Sequence, residues 1–231
     1  PNAIINIGEY AFGSKETGAY ARISKITFHS GMRNIGEGAF YGDSALETAI
    51  FQASAVPSGL YIGDYAFYKC SNLEVVTFEE TGALNGTQYK YTTSCGVKEI
   101  GAFAFSGTSV AELLLPSTLT ALGEEAFSSV KELESIDFSH VNSNLEFGQY
   151  AFKSCTSLTS VSFPDNVGVI DFNSVFRGCS KLGELTVSET NPNYTTGEDG
   201  VLYDKAITRI IFFPEGFEGT YTVPSTVTVI G

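Results

Sequence analysis

A six-residue phrase, Ile-Gly-x-x-Ala-Phe, recurs along the chain and limits what the chain can fold into. The Phe residues that end successive copies lie 28, 27, 38, 22, 25 and 24 positions apart. A solenoid tolerates such unequal spacing because loops take up the difference, whereas a single globular core does not. We therefore predict a solenoid in which Gly supplies a tight bend and the Ala-Phe pair points inward. The final residues are Phe12, Phe40, Phe67, Phe105, Phe127 and Phe152, with Phe176 ending a degenerate seventh copy.

A second phrase, Leu-x-x-apolar-x-Phe, follows these copies at a nearly constant distance. Its last four positions alternate between outward Thr, Ser or Val and inward apolar residues, which is typical of a β-strand. We expect these strands to stack in parallel about 4.8 Å apart, with the Phe residues of both phrases forming the core. Clear copies are Leu46–Phe51, Leu73–Phe78, Leu133–Phe138 and Leu158–Phe163, and variants are Ile23–Phe28, Val110–Leu115, Leu182–Val187 and Ile207–Phe212.

Two segments and both ends depart from this regular pattern. Residues 79–97 contain extra positions that predict a loop or hairpin insertion. Residues 188–231 predict a longer, hairpin-bearing repeat, because Asp199-Gly200 between apolar stretches is typical of a tight turn. We expect residues 1–231 to form a single solenoid domain that is truncated at both ends, since the chain stops at the opening of another copy, Ile230-Gly231.

The combined pattern resembles the BspA-type leucine-rich repeats of bacterial and protist surface proteins. The clearest copy runs from Phe147-Gly148 through Cys155 to Phe163-Pro164, and similar copies cover nearly the whole chain. This resemblance implies a leucine-rich repeat solenoid of about seven to eight repeats. The implied form is a right-handed superhelix with a parallel β-sheet on its concave face and short helical turns. The resemblance also implies secretion or cell-surface display and a role in adhesion or protein binding, and it offers no shared catalytic residues to transfer.

The composition argues against several classes of function. The chain has 13 Lys plus Arg against 26 Asp plus Glu, a net charge of −13, so nucleic acids and anionic membrane surfaces are unsuitable partners. No apolar run reaches the roughly 18 residues that a membrane-spanning helix needs, so we expect no direct membrane insertion. With 2 His, 1 Met and no Trp, few of the usual catalytic and metal-binding side chains are present. The sequence therefore predicts a protein that is not an enzyme and holds no cofactor or metal.

The cysteines and histidines have plain structural interpretations. Cys70, Cys155 and Cys179 each follow a repeat Phe by three residues, so we interpret them as one buried position rather than a metal or redox site. Whether Cys155 and Cys179, on adjacent turns of the solenoid, reach disulfide distance stays open. His29 and His140 follow strands without a nucleophile elbow and are interpreted as turn residues. A hydrolase centred on either histidine is the least supported hypothesis.

The outward strand positions form the candidate binding surface. They align in two columns on the expected concave sheet, and the core does not dictate their identity. Ile50, Val75 and Leu114 suggest an apolar patch, although Thr, Ser and Val are also simply good strand formers. The first column is Lys25, Thr48, Val75, Glu112, Ser135, Ser160, Glu184 and Arg209, and the second is Thr27, Ile50, Thr77, Leu114, Asp137, Ser162, Thr186 and Ile211.

The leading hypothesis is a non-catalytic extracellular or cell-surface module for binding or adhesion. It would recognise a protein or glycan on a host or neighbouring cell through the concave sheet and the loop at residues 85–91. The alternative is a structural spacer that displays another domain of a larger surface protein.

Overall fold

The computed structural model describes residues 4–14, 22–53, 59–85, 88–141, 144–165 and 167–231, and between residues 81 and 93 it describes the backbone only. Across this described part, no helix has the length and apolar character needed to cross a bilayer. The strands are β1 (Asn6–Ile7), β2 (Lys25–Phe28), β3 (Asn34–Ile35), β4 (Thr48–Phe51), β5 (Leu60–Ile62), β6 (Val75–Phe78), β7 (Glu80–Asn85), β8 (Gln88–Ser94), β9 (Val97–Ile100), β10 (Glu112–Leu113), β11 (Ala121–Leu122), β12 (Ser135–Asp137), β13 (Glu146–Phe147), β14 (Ser160–Phe163), β15 (Glu184–Val187), β16 (Tyr194–Thr196), β17 (Leu202–Asp204), β18 (Arg209–Phe212) and β19 (Val229–Ile230), with a short helix α1 (Phe172–Val175).

The Ile-Gly phrases build one parallel sheet along the solenoid. Its six strands follow the order β1-β3-β5-β9-β11-β13, so each turn of the solenoid, called a rung below, adds one strand. From the second rung to the sixth, the backbone N–H of the phrase glycine donates to the carbonyl of the phrase Ile or Leu one rung back, for example Gly123 to Ile100 at 2.7 Å. The predicted stacking of successive repeats into a solenoid is confirmed.

From the second rung onward, the phrase glycines are required by close packing between rungs rather than by a bend. A Cβ built on Gly123 would lie 2.4 Å from the backbone nitrogen of Ala102, and one on Gly148 would lie 2.4 Å from the carbonyl carbon of Gly123. Neither glycine has a positive φ. The left-handed backbone conformation lies two residues after the phrase glycine, at a position where most rungs have a residue other than glycine. Tyr10 (49°), Tyr65 (56°), Phe103 (55°), Glu125 (50°) and Tyr150 (61°) have the positive φ there.

The second phrase builds the other long side of the solenoid. Strands β2, β4 and β6 form one parallel ladder, and β10, β12, β14 and β15 form another. The two ladders meet where β10 lies beside β6. Along each strand the predicted alternation holds, as in β6, where Val76 and Phe78 are buried while Val75 and Thr77 are exposed.

The core is a file of parallel aromatic rings. The Phe residues that end the first phrase stack from rung to rung, with centroid distances of 5.0, 5.1, 4.9, 5.2, 5.4 and 5.8 Å from Phe12 to Phe176. Adjacent rings are tilted by no more than 11°. A second file runs beside it, for example Phe28, Phe51 and Phe78, spaced 4.7 and 4.8 Å apart. Because each ring covers the faces of its neighbours, no rung has a core of its own.

Antiparallel strands occupy parts of the two segments that interrupt the repeat. β7 pairs with β8 to form a hairpin. The first residue of β7 and the last residue of β8 both contact the turn that precedes Leu119. Glu80 Oε1 accepts hydrogen bonds from the Ser117 backbone N–H at 2.9 Å and its hydroxyl at 2.7 Å, and the Ser94 and Thr118 hydroxyls lie 3.3 Å apart. Further along, β16, β17 and β18 form an antiparallel meander, and β19 adds to β18 in parallel.

Candidate functional site

The outward residues of the second-phrase strands form the surface that we call the strand face. The register aligns them as the columns require: Thr48 lies between Lys25 and Val75, and Ser162 lies between Asp137 and Thr186. Leu114 directly follows β10. The strand face comprises Lys25, Thr27, Thr48, Ile50, Val75, Thr77, Glu112, Leu114, Ser135, Asp137, Ser160, Ser162, Glu184 and Thr186.

Arg209 and Ile211 do not belong to this surface, and their placement in the two columns was wrong. Their strand β18 pairs with β17 and β19, whereas β15 pairs with β14 on the strand face. The pairing Ile210 to Ile230 puts β18 in line with an Ile-Gly strand, and Gly231 N–H donates to Ile210 as the phrase glycines do elsewhere. The chain reverses direction through β16 and β17 before β18, so the sequence likeness of β18 to the second phrase is misleading.

An apolar patch lies near the middle of the strand face. Val75 is 48% exposed and Leu114 is 53% exposed, and Ile50 is half-buried on the neighbouring strand β4. The three residues therefore occupy the adjacent strands β4, β6 and β10. No described element covers these side chains, and their role in binding stays a prediction.

The residue immediately before each face strand forms a leading row along the edge of the strand face. Glu74 N–H donates to Glu47 at 3.1 Å, and Thr159 N–H donates to Glu134 at 2.8 Å, so these positions stack from rung to rung. The three glutamates are exposed. This row was not predicted from the sequence, although the Glu that directly follows Leu46, Leu73 and Leu133 was a readable signal. The row is Ser24, Glu47, Glu74, Ala111, Glu134, Thr159 and Gly183.

A cleft of about 610 Å³ opens at the last rung of the strand face, and we call it the acidic cleft. Glu184, Glu198, Asp199 and Glu218 line it, and none of its lining residues is basic. Glycines bring its backbone walls together. A Cβ on Gly200 would lie 2.4 Å from the carbonyl oxygen of Gly183, and a Cβ on Gly216 would lie 2.4 Å from the carbonyl carbon of Lys181.

Asp199 is held in place inside this cleft. Its Oδ1 accepts the Val201 backbone N–H at 3.1 Å, and its Oδ2 accepts the Tyr203 hydroxyl at 3.3 Å. Burial raises the pKa of the Tyr203 phenol, and the hydrogen bond with Tyr221 and the charge of Asp199 raise it further. Tyr203 therefore stays protonated and serves as a hydrogen-bond donor to Asp199.

The hairpin begins at the end of the strand face, because β7 starts two residues after β6 ends. Of the loop predicted to take part in binding, Gly86 and Thr87 lie outside the described residues, as do the neighbouring side chains from 81 to 93. Its contribution to binding stays a prediction.

The repeat cysteines are buried and hydrogen-bonded to the preceding rung. Cys70, Cys155 and Cys179 donate through Sγ to the carbonyls of Phe40, Phe127 and Phe152 at 3.0, 3.2 and 3.1 Å. All are free thiols, so Cys155 and Cys179 are not bonded to each other. The adjacent thiol of Cys179 raises the pKa of the Cys155 thiol, and burial raises it further. Across the described ranges, no group of three His, Cys, Asp or Glu residues is arranged to hold a metal ion.

The two histidines also bind the backbone of the preceding rung. His29 Nε2 lies 2.5 Å from the carbonyl oxygen of Ile4, and its Nδ1 accepts the Gly31 N–H at 3.1 Å. Nε2 must therefore carry the proton. His140 Nε2 likewise contacts the carbonyl oxygen of Leu115. These contacts account for both imidazoles as links between rungs.

The comparisons with known proteins agree with this architecture. The model of the BspA type leucine rich repeat region matches six copies over residues 1–95 and 98–218. A search of curated proteins finds no match.

Several solved structures are similar in fold. A leucine-rich repeat protein from Bacteroides ovatus is 25% identical with a TM-score of 0.55, covering 80% of this chain and 46% of its own. The pneumococcal vaccine antigen PcpA is 20% identical with a TM-score of 0.55, covering 98% of this chain and 46% of its own. A leucine rich cell surface protein from Faecalibacterium prausnitzii is 20% identical with a TM-score of 0.53, covering 97% and 54%. The chain thus spans about half the length of these structures. With repeats matched over nearly all of its residues and the same solenoid fold, the chain belongs to the BspA-type leucine-rich repeat family.

Proposed function

We propose that this solenoid is a non-catalytic binding module that recognises a protein or glycan through the strand face, outside or on the surface of a cell. The observation that carries the proposal is the apolar patch. Val75 and Leu114 are about half exposed on a face that no described element covers, whereas inward residues of the same strands are buried. Because the core fixes only the inward residues, the outward apolar side chains are free to serve a partner.

The location is supported by the named relatives. One is a cell surface protein and another is a vaccine antigen, although each shares only its fold with this chain. Membership of a leucine-rich repeat family also supports a role in protein interaction. These likenesses support display outside the cell, which is part of the proposal.

The test is a binding screen with a double variant, Val75→Asp and Leu114→Asp. The wild-type chain is screened against immobilised extracellular-matrix proteins and neutral glycans, and each captured ligand is measured again with the variant. Because the variant replaces two apolar side chains with charged ones, binding at the strand face should weaken tenfold or more, a loss of about 1.4 kcal/mol or more in binding free energy. The matched control carries Tyr61→Asp and Val169→Asp, which are 47% and 96% exposed away from the strand face. Equal binding by wild type and both variants would exclude the strand face.

A structural spacer is the second candidate, because this chain spans only about half of its solved relatives. A spacer needs no ligand of its own. If no ligand is captured while a longer protein containing this solenoid binds through another domain, the spacer interpretation replaces the binding module.

A further inference from the structure

The strand face and its leading row carry many carboxylates and few cations. Glu112, Asp137 and Glu184 are exposed on the face itself, and Lys25 is its only basic residue. The leading row adds three further exposed glutamates beside the same strands. The apolar patch is thus bordered by negative charge on several successive rungs.

The fold does not require these glutamates. Ser24, Ala111 and Thr159 occupy the leading row without charge, and they take part in the same ladder of backbone hydrogen bonds. Glu47 and Glu74 lie on adjacent rungs, where like charges repel each other. The glutamates of the leading row thus destabilise the free protein slightly, and the backbone ladder does not need them. Their presence is better explained by binding to an external partner.

The negative charge is not neutralised within the described side chains. The ion pair found among them joins Lys153 to Glu125 at 3.1 Å, and neither residue belongs to the strand face or its leading row. The chain as a whole carries a net charge of −13. Uncompensated carboxylates beside an open surface attract cations and repel anions, both over distance and on contact.

The acidic cleft extends this charge at one end of the face. Glu184 belongs to both surfaces, and the cleft adds Glu198, Asp199 and Glu218 around backbone walls that carry little side-chain bulk. Its volume of about 610 Å³ exceeds what one Lys or Arg side chain occupies. A ligand lying along the strand face therefore meets the densest negative charge at its last rung.

We propose that the partner of the strand face is a basic polypeptide segment, in which Lys or Arg residues flank apolar side chains. This inference rests on the binding function proposed above and names the chemistry of the partner. The apolar side chains contact Ile50, Val75 and Leu114, the cations face the leading row, and one cationic side chain enters the acidic cleft beside Glu184. A polypeptide supplies both kinds of group at once. Sulfated or uronate-rich glycans are anionic and would be repelled.

Two triple variants with the same change in net charge provide the test. The first replaces carboxylates along the strand face: Glu74→Gln, Glu134→Gln and Glu184→Gln. The matched control replaces exposed carboxylates on or beside the six-stranded sheet: Glu99→Gln, Glu124→Gln and Glu146→Gln. The probe is a labelled synthetic peptide of Lys and Leu residues, with a Gln-for-Lys peptide as its neutral counterpart, and binding is measured by fluorescence anisotropy at low and physiological salt.

We expect the Lys peptide to bind the wild type and the control, and the strand-face triple to weaken its binding about tenfold, since three exposed charge pairs are lost. The neutral peptide should bind weakly to all three proteins. Equal weakening by both triples would show an effect of net charge alone and overturn the inference, as would a Lys peptide that does not bind.

The failure of this inference and that of the binding function are distinguishable. A ligand from the screen that is lost with Val75→Asp and Leu114→Asp but is unaffected by the strand-face triple would overturn the basic partner and leave the binding face standing. A neutral glycan with that behaviour is the clearest case.

Discussion

Removing one ring from the middle of the Phe file tests whether the rungs share a core. Phe105 is fully buried, stacks on Phe67 at 4.9 Å and on Phe127 at 5.2 Å, and meets the edge of Phe78 at 6.5 Å. Phe→Ala at a buried site costs about 3–5 kcal/mol, and aromatic pairs contribute about 0.5–1.5 kcal/mol each beyond burial. Because two stacked partners are lost, we expect Phe105→Ala to cost about 4–5 kcal/mol.

Phe12 provides the internal comparison at the end of the same file. It is half-buried, and among the described side chains it stacks only on Phe40, at 5.0 Å. With one stacked partner among the described residues and part of its surface already in water, Phe12→Ala should cost about 1–2 kcal/mol. The difference of roughly 3 kcal/mol between the two sites is the energetic mark of coupling between neighbouring rungs.

Urea unfolding followed by far-ultraviolet circular dichroism measures both free energies. If Phe105→Ala does not fold, Phe105→Leu keeps most of the volume and removes the aromatic contacts, with an expected cost of about 2 kcal/mol. A lower dependence of the free energy on urea in the Phe105 variants would show that the two halves unfold separately. Equal costs at Phe12 and Phe105 would refute the shared core, because independent rungs would not distinguish an inner from a terminal position.

Three further outcomes follow from the packing. Gly123→Ala should destabilise by about 1–3 kcal/mol in thermal or urea unfolding because its Cβ meets backbone, whereas Gly168→Ala, with nothing within 4 Å, should stay within about 0.5 kcal/mol. Burial raises the pKa of Asp43, whose Oδ2 has no hydrogen-bond partner among the described residues. The Asp43 carboxyl therefore binds its proton more tightly in the native state than in the unfolded state, and the wild type loses stability relative to Asp43→Asn as the pH rises from about 4 to 7. In urea unfolding at these two pH values, the variant should be more stable than the wild type by about 1 kcal/mol at pH 7 only. Ellman's reagent should find unreactive thiols at Cys155 and Cys179 in the native protein and four thiols per chain after unfolding without reductant, whereas a count of two would indicate a disulfide.

Recurrence made the core predictable from the sequence. Phe67 alone would be one apolar residue among many, but its place in a repeated phrase identifies it as part of a file, and the structure stacks it between Phe40 and Phe105. The outward columns from β2 to β15 were predictable for the same reason, since alternation along a strand fixes which side chains leave the core.

Features that depend on chain direction or on contacts between distant segments were not predictable. Arg209 and Ile211 lie in a segment that matches the second phrase, yet two antiparallel turns place it opposite Val229–Ile230. The acidic cleft is likewise assembled from residues that lie far apart in sequence, such as Glu184 and Glu218. A repeat pattern reports what each rung contributes, and it carries no information on where an irregular segment folds back.

The phrase glycines show how a correct pattern can have a different physical cause. The sequence suggested a bend at Gly, but the positive φ belongs to Tyr65 and its equivalents. Gly101 cannot carry a side chain because a Cβ built there would lie 2.7 Å from the backbone nitrogen of Asp64 in the previous rung. The rung spacing therefore depends on Gly, and the aromatic residue at the strained position is held by its neighbours, as Tyr65 is by Phe103 at 5.0 Å. Since the backbone position tolerates Glu125 as well as Tyr and Phe, stacking rather than backbone geometry must favour aromatic residues there. This separation between a fixed backbone and a freer outward side chain is the same one that leaves the strand face open to specialise for a partner.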